Sequence, residues 1–387
     1  MKSRTYDEKF YKKLGERLRS ARKSLGLTQE DIARTLGRSR SYVALIERGE
    51  RKIGLEELFS LAKLYGRSLD YFLDLEGDKF ISESTFHFRA VKAGGRVRKI
   101  LALFEELCRD YAYLESLLCR DKRREYPEIP ASLLERFRNE PDRFADELTL
   151  TVREKWEFGM DPLINLRENL EIWGFKIFAI PHELSSAGAF LFSNDIGPCI
   201  LINAANSPQR QLFTLAHEFG HFILHRDHMS ISDPSNYVFG SRGRPLKKEK
   251  EANVFAAALL LPENAVRNAW RQYVNVGNLK RFHINMLAKM FGVTYSAFLY
   301  RALSLGLIKG WQYNRLKLPA RDYSQIKIPE FKPLEDLPER YKALVLNAYL
   351  AGKITIGEAA QYLRVPLIDA RKWIKSKIAG NNGGEFE

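Results

Sequence analysis

The residues of this chain whose types and spacing can do chemistry are His217, Glu218 and His221, in the run TLAHEFGHFILH from Thr214 to His225. Residues four apart on a helix share a face, so the two imidazoles can reach one ion while Glu218 projects from the neighbouring edge. Neutral imidazole nitrogen is a ligand for zinc, and a catalytic zinc keeps three protein ligands and a fourth position for water. Water held there has a pKa of about 7, and Glu218 is placed to take its proton and deliver it to a leaving amine, the general-base part of the H-E-x-x-H pattern. The neighbours Leu212, Phe213, Leu215, Ala216, Phe219, Phe222, Ile223 and Leu224 are apolar, as expected of a core helix carrying a site. Gly220, a poor helix former, marks a place where a neighbouring strand or a substrate passes close. The simpler alternative is a buried helix whose histidines only satisfy core hydrogen bonds, but a glutamate beside two stacked histidines is costly to bury without a partner.

A third ligand is offered by EKEANVFAAALLLP, from Glu249 to Pro262, a helical segment ended by its proline. Glu251 shares a face with Phe255 and Ala258, which puts its carboxylate on the buried stripe. Glu249 lies about 200° away around the helix and is expected to face solvent. Glu251 is therefore taken as the third ligand. His225 competes, one turn beyond His221, but three consecutive turns of one rod cannot wrap a tetrahedral ion, because the first and third groups stand about 12 Å apart along the axis. His225 and His228 are read as supporting or surface residues.

With ILIN at Ile200 to Asn203, then RQLFTLAHEFGHFILH, then EKEANVFAAALLLP, the stretch resembles the ImmA/IrrE family of zinc metallopeptidases, whose members cleave repressor proteins. The resemblance spans roughly residues 150 to 310 and agrees in the order and composition of both helices. It implies a gluzincin-like site with His217, His221 and Glu251 as ligands to Zn2+ and Glu218 as the catalytic acid and base.

These residues need a scaffold to converge. From about Glu147, LTVREKWEFGMDPLINLRENLEIWG reads as a helix pair, followed by three short apolar runs, FKIFAIP, AGAFLFS and PCILINA, parted by turn residues. They predict a small antiparallel sheet. The strand before the active-site helix is expected to offer an edge on which an extended peptide can pair. Ser207 and Pro208 stand at the cap and first position of that helix. Residues 226–248, rich in Gly, Pro, Ser and basic groups, form a long loop suited to covering a cleft, with His228 and Tyr237 as candidates for holding an oxyanion.

Residues 14 to 73 form a second constellation. LGERLRSARKSLGL is an amphipathic helix with Leu14, Leu18, Ala21 and Leu25 inward; Thr28 and Asp31 bracket the start of the next, QEDIARTLG, in a shorter relative of the capping box. After Gly37, Ser39 caps RSYVALIERG, and two more helical segments, LEELFSLAKLYG and SLDYFL, complete a five-helix helix-turn-helix domain. The spacing TQEDIA, LG, SRSYVALIERGE resembles the XRE/Cro family of DNA-binding domains. In such motifs the third helix enters the major groove with its first turn on base edges, which makes Arg40, Ser41, Tyr42 and Ala44, after the capping Ser39, the candidate readers. Gln29, Arg38, Arg48 and Lys52 are the candidate phosphate contacts.

The chain's 387 residues allow several cores, and its net charge of +14 favours a polyanion partner. Three cysteines, Cys108, Cys119 and Cys199, form no C-x-x-C pair and read as reduced thiols of a cytoplasmic protein. The absence of an apolar leader or a long apolar run argues against secretion and membrane spanning. The expected fold class is mainly α with a small antiparallel sheet: helix-turn-helix domain at 1–77, helical connector at 78–146 whose long apolar stripe is a packing or dimer face, α+β zincin-like peptidase domain at 147–265, a helix-turn-helix-like segment at 266–320 completing it, and a C-terminal helical module with a tail at 321–387. Expected partners are double-stranded operator DNA, a repressor or antitoxin-like protein substrate, and a second copy in a homodimer. Two other functions fit the same residues: a transcription factor whose peptidase-like domain senses without cutting, and an antitoxin-like autoregulator that docks a toxin.

Overall fold

The computed structural model describes residues 2–24, 27–65, 72, 95–118, 125–182, 188–193, 196–226, 247–274, 279–317 and 331–381. They fall into two compact units, one drawn from residues up to Arg120 and from Lys332 onward, the other from Asp121 to Met229 and Val238 to Phe331.

The first unit opens with α1 (Lys2–Ser24), α2 (Gln29–Leu36), α3 (Arg40–Glu47) and α4 (Leu55–Tyr65). Thr28 Oγ1 accepts the Asp31 N–H at 3.1 Å, and Asp31 Oδ2 accepts the Thr28 N–H at 2.8 Å, so both orphan donors at the start of α2 are met. Gly37 closes α2 in the left-handed conformation, and Ser39 Oγ caps α3 by accepting the Tyr42 N–H. Leu14, Leu18, Ile32, Val43, Ile46 and Leu61 fill the core between these helices. Of the predicted fifth helix only Phe72 lies among the described residues, buried against Tyr65.

The long connector helix, α5 (Gly95–Leu118), carries its apolar stripe at helical spacing. Leu101, Phe104, Leu107, Cys108, Tyr111 and Leu114 are all at most 1 % exposed within this one chain, so the stripe is a packing face and not a free dimer face.

The second unit starts upstream of Glu147, because Tyr126 already packs on Trp156, Phe175 and Phe222. Its elements are α6 (Ala131–Asn139), α7 (Pro141–Lys155), α8 (Leu166–Ile172), β1 (Lys176–Ile180), β2 (Ala189–Ser193), β3 (Gly197–Asn203), α9 (Pro208–His225), α10 (Lys247–Leu260), α11 (Glu263–Tyr273), α12 (Arg281–Met290), α13 (Tyr295–Ser304) and α14 (Gly310–Leu316).

The sheet order is β1-β3-β2, with β3 parallel to β1 and antiparallel to β2, pairing Phe178 with Leu201 and Ala189 with Leu201. The sheet is therefore mixed, not antiparallel throughout. Apolar runs specify that strands form, but not which strand takes the centre. Here β3, buried from Pro198 to Asn203, takes it. The strand immediately before α9 is thus the central one, and β2 is at an edge.

Beneath α9 the rings of Phe219 and Phe222 meet Trp156 and Phe175, each with a centroid separation of 5.0 Å. This aromatic face lies opposite His217 and His221 on the same helix, so packing one face aims the other. The partner helix α10 is held at its C-terminal end, where Arg153 donates to Leu259 O at 3.0 and 2.8 Å and Arg301 donates to Leu261 O at 3.0 Å. Cations there answer the helix dipole as well as the orphan carbonyls. Gly220 explains how closely the two helices approach: a Cβ on it would stand 2.8 Å from the Phe255 ring. The close neighbour is the second helix, neither a strand nor a substrate.

The chain returns to the first unit with α15 (Pro333–Asp336), α16 (Glu339–Leu350), α17 (Ile356–Tyr362) and α18 (Leu367–Asn381). These helices cover α5: Arg364 spans Glu106 at 2.7 Å and Asp110 at 2.6 Å, and Tyr341 packs on Tyr111. None of the helices among the described residues is long and apolar enough to cross a membrane.

Candidate metal centre and DNA-reading face

α9 and α10 bring three donors together. His217 Nε2 and His221 Nε2 lie 3.1 Å apart; Glu249 places Oε2 at 3.3 Å from the first and Oε1 at 3.2 Å from the second. Ligands about 2.0 to 2.1 Å from a tetrahedral zinc stand about 3.3 Å from one another, so the spacing suits that ion. The donor set suits it too. Asn253 Oδ1 accepts from His217 Nδ1 at 3.1 Å, which leaves His217 Nε2 as a lone pair facing a second ring nitrogen and a carboxylate. Among the described residues, these three form the group of His, Cys, Asp and Glu able to hold a metal.

The donor that joins the two imidazoles is Glu249, and the expected Glu251 is not brought to them. Glu251 is 3 % exposed and its Oε2 lies 3.0 Å from His225 Nε2, behind the donor set. Burial was the wrong guide. A carboxylate at an open site stands at the boundary, and the Glu249 side chain keeps 15 % of its exposure where Glu251 keeps 4 %. Its i+4 neighbour Asn253 reaches His217, so the stripe of Glu249 and Asn253, not that of Glu251 and Phe255, faces the two imidazoles. Sequence spacing alone had no means of choosing between the two stripes.

Glu218 is 5 % exposed beside this set, and burial pushes its carboxyl above the usual carboxylate range against the pull of His217 and His221. Gly188, just before β2, lies directly over it: a Cβ there would stand 2.3 Å from Glu218 Oε1 and 2.6 Å from Thr214 Cγ2. Only a glycine admits the backbone so close. Burial raises Glu249, but the pull of His217 and His221 outweighs burial and holds it down to about 2. His225, buried beside His221, is lowered to about 3. Ser207 occupies the N-cap of α9 and Pro208 its first position, though the serine side chain makes no capping bond. His228 and Tyr237 lie outside the described residues.

On the first unit, Arg40 and Ser41 are exposed on the first turn of α3. Arg19, which the sequence reading passed over, lines a concavity with Thr28, Gln29 and Arg40 at the start of α2. Tyr42 is only 9 % exposed and donates its hydroxyl to Glu57, so it belongs to the core and not to the reading face. Ser39 is occupied as the cap, and Ala44 is half-buried. Gln29 gives one of its two amide hydrogens to Glu47 at 3.0 Å, and the other is left to donate. Arg38 is paired with Glu57 at 2.9 Å and Arg48 with Glu50 at 3.0 Å, while Lys52 sits over the Tyr11 ring.

Two imidazoles and a glutamate on a facing helix, beside a buried glutamate, make a metallopeptidase-type site, here in a chain that also carries a helix-turn-helix pair. Residues 171–303 match the IrrE N-terminal-like domain and residues 18–72 the helix-turn-helix domain. The chain carries an XRE-type helix-turn-helix domain and an ImmA/IrrE-type peptidase domain. It is 40 % identical over 101 residues to the radiation response metalloprotease IrrE of Deinococcus radiodurans, covering 26 % of this chain and 29 % of that one. It is 43 % identical over 67 residues to IrrE of Deinococcus deserti, 17 % of this chain and 24 % of that one. An uncharacterized transcriptional regulator in the ATPase CF(0) region of Rhodospirillum rubrum is 39 % identical over 64 residues, 16 % of this chain and 59 % of that one. The chain thus spans less than a third of the IrrE proteins it matches.

Proposed function

We propose that this protein is a DNA-binding transcriptional regulator with zinc-dependent endopeptidase activity, directed at a partner protein such as a repressor or an antitoxin. The observation that carries the reading is the convergence of two imidazole nitrogens and the Glu249 carboxylate at mutual distances of 3.1 to 3.3 Å, with the buried Glu218 alongside. His217, His221 and Glu249 would hold Zn2+, which when bound supplies a Lewis acid and an acidified water.

Glu218 takes the proton from the attacking water and returns it to the amine as the carbon–nitrogen bond breaks. A carboxyl raised by burial suits both halves of that exchange. Among the described residues no strand pairs with the outer edge of β2, and an extended substrate can add there, its carbonyl carried toward Glu218 past Gly188. In the first unit Arg40 and Ser41 enter the major groove, with Arg19 on the backbone. The relatives, a metalloprotease and a transcriptional regulator, fit the two halves.

The test is incubation of the zinc-loaded protein with candidate repressors and antitoxins, beside Glu218→Gln. Fragments with the parent and none with the variant support the reading. Equal cleavage by both removes Glu218 from the chemistry, and retained zinc with no cleavage by the parent moves the domain to sensing.

A further inference from the structure

His225 and Glu251 are left over by the proposed chemistry, yet both are charge-capable and almost fully buried, at 2 % and 3 % exposure. A hydrophobic pair would fill that space without the cost of desolvating a carboxylate. Their contacts form one line: Glu251 Oε2 to His225 Nε2 at 3.0 Å, then His225 Nδ1 to His221 Nδ1 at 3.1 Å, with His221 Nε2 at the far end facing Glu249 and His217.

Each contact admits a single hydrogen, so the state of one end dictates the other. An ionised Glu251 only accepts, which puts the hydrogen on His225 Nε2. His225 Nδ1 is then a lone pair and must accept from His221 Nδ1–H. His221 Nε2 is left without a hydrogen, aimed at the point where the other two donors meet. With the reverse polarity His221 Nε2 would carry a hydrogen and could not ligate.

We infer that His225 and Glu251 are a two-residue positioning relay behind His221, which sets the tautomer and ring orientation of that ligand. The inference rests on the zinc reading above. It also assigns a separate role to each of three side chains near the start of α10: Glu249 meets the ion, Asn253 orients His217 at 3.1 Å, and Glu251 orients His221 through His225. Partners of this kind fix the tautomer and raise the basicity of a ligating imidazole, and their loss typically weakens metal binding about 10- to 100-fold.

The test is zinc affinity of the full chain, by competition with a chromophoric chelator, for the parent, His225→Phe, Glu251→Leu, Glu251→Gln and Glu249→Ala, each checked for folding by its melting temperature. His225→Phe and Glu251→Leu should bind zinc about 10- to 100-fold more weakly, whereas Glu251→Gln, whose amide oxygen still accepts from His225 Nε2–H, should recover most of the loss. The parent protein supplies a readout that needs no substitution. Imidazole 15N spectra of the zinc-loaded chain should show a hydrogen on Nδ1 of His221 and on Nε2 of His225. The relay is overturned by the opposite tautomers, or by folded His225→Phe holding zinc within about twofold of the parent while Glu249→Ala loses it. If Glu249→Ala binds as tightly as the parent, or the parent binds none, the zinc reading itself has failed.

Discussion

Replacing Gly188 by alanine tests whether the start of β2 lies over Glu218. The added methyl would stand 2.3 Å from Glu218 Oε1 and 2.6 Å from Thr214 Cγ2, where ordinary contact begins at 3.4 Å. The carboxylate must therefore withdraw by about 1 Å, or the strand must lift by a similar amount; overpacking of this kind typically costs about 1 to 3 kcal/mol. Glu218 has little room to withdraw, at 5 % exposure in the packed interior. A displacement of about 1 Å in a group that must meet a reacting atom lowers turnover on the order of 100-fold. Glu218 is not one of the three converging donors, so zinc affinity should stay unchanged. The assay is threefold: denaturant unfolding, chelator competition for zinc, and cleavage of whichever partner the parent cuts. Unaltered stability together with unaltered cleavage would refute the placement of Gly188 against Glu218, and a large loss of zinc would mean that the two glutamates had been given each other's roles.

Further outcomes follow from other parts of the molecule. Glu47→Ala strips the buried Arg22, 8 % exposed, of the carboxylate that accepts from its Nη2 at 2.9 Å, and should destabilise the first unit by about 3 to 5 kcal/mol in chemical denaturation; a loss under about 1 kcal/mol would contradict a true buried pair. Zinc at about 1,000 times its Kd should stabilise the folded chain by about 4 kcal/mol, reversed by chelator and absent in Glu249→Ala; a melting temperature indifferent to both would exclude tight binding to the native state. His182, 3 % exposed, is lowered by burial to about 4. The unfolded chain takes up this proton near pH 6.5 and the folded chain only near 4, so stability should fall as pH drops through that window, by on the order of 3 kcal/mol. His182→Leu should flatten the fall, and an equally steep curve in the variant would place the proton uptake elsewhere.

Much of this was legible in the chain itself. A motif confined to one helix carries its own geometry, so His217, Glu218 and His221 follow from spacing and the helical period alone. The capping pairs Thr28 with Asp31 and Ser39 with the third helix follow similarly, because a cap is satisfied within a few residues. The boundary of the second unit was less legible, since Tyr126 stands in a charged, proline-punctuated stretch that reads as linker until its ring is seen in the aromatic cluster. Tyr42 shows the same limit: its position in the third helix fits a reader, but the partner that claims its hydroxyl, Glu57, lies in another helix.

What the sequence by itself determined is everything set by contacts a turn or less apart: the helices and their caps, the strands as segments, the pair of imidazoles and the glutamate beside them. Tertiary structure alone decided the rest: β3 in the centre of a mixed sheet, the stripe of α5 spent against C-terminal helices, and Glu249 rather than Glu251 facing the imidazoles. The reason is physical. Helical periodicity tells which residues share a face but not how that helix is rotated against its neighbour. On α10 the rotation is set by Phe255 against Gly220 and by the arginines gripping its far end, interactions that span tens of residues of sequence and exist only once the two helices have packed.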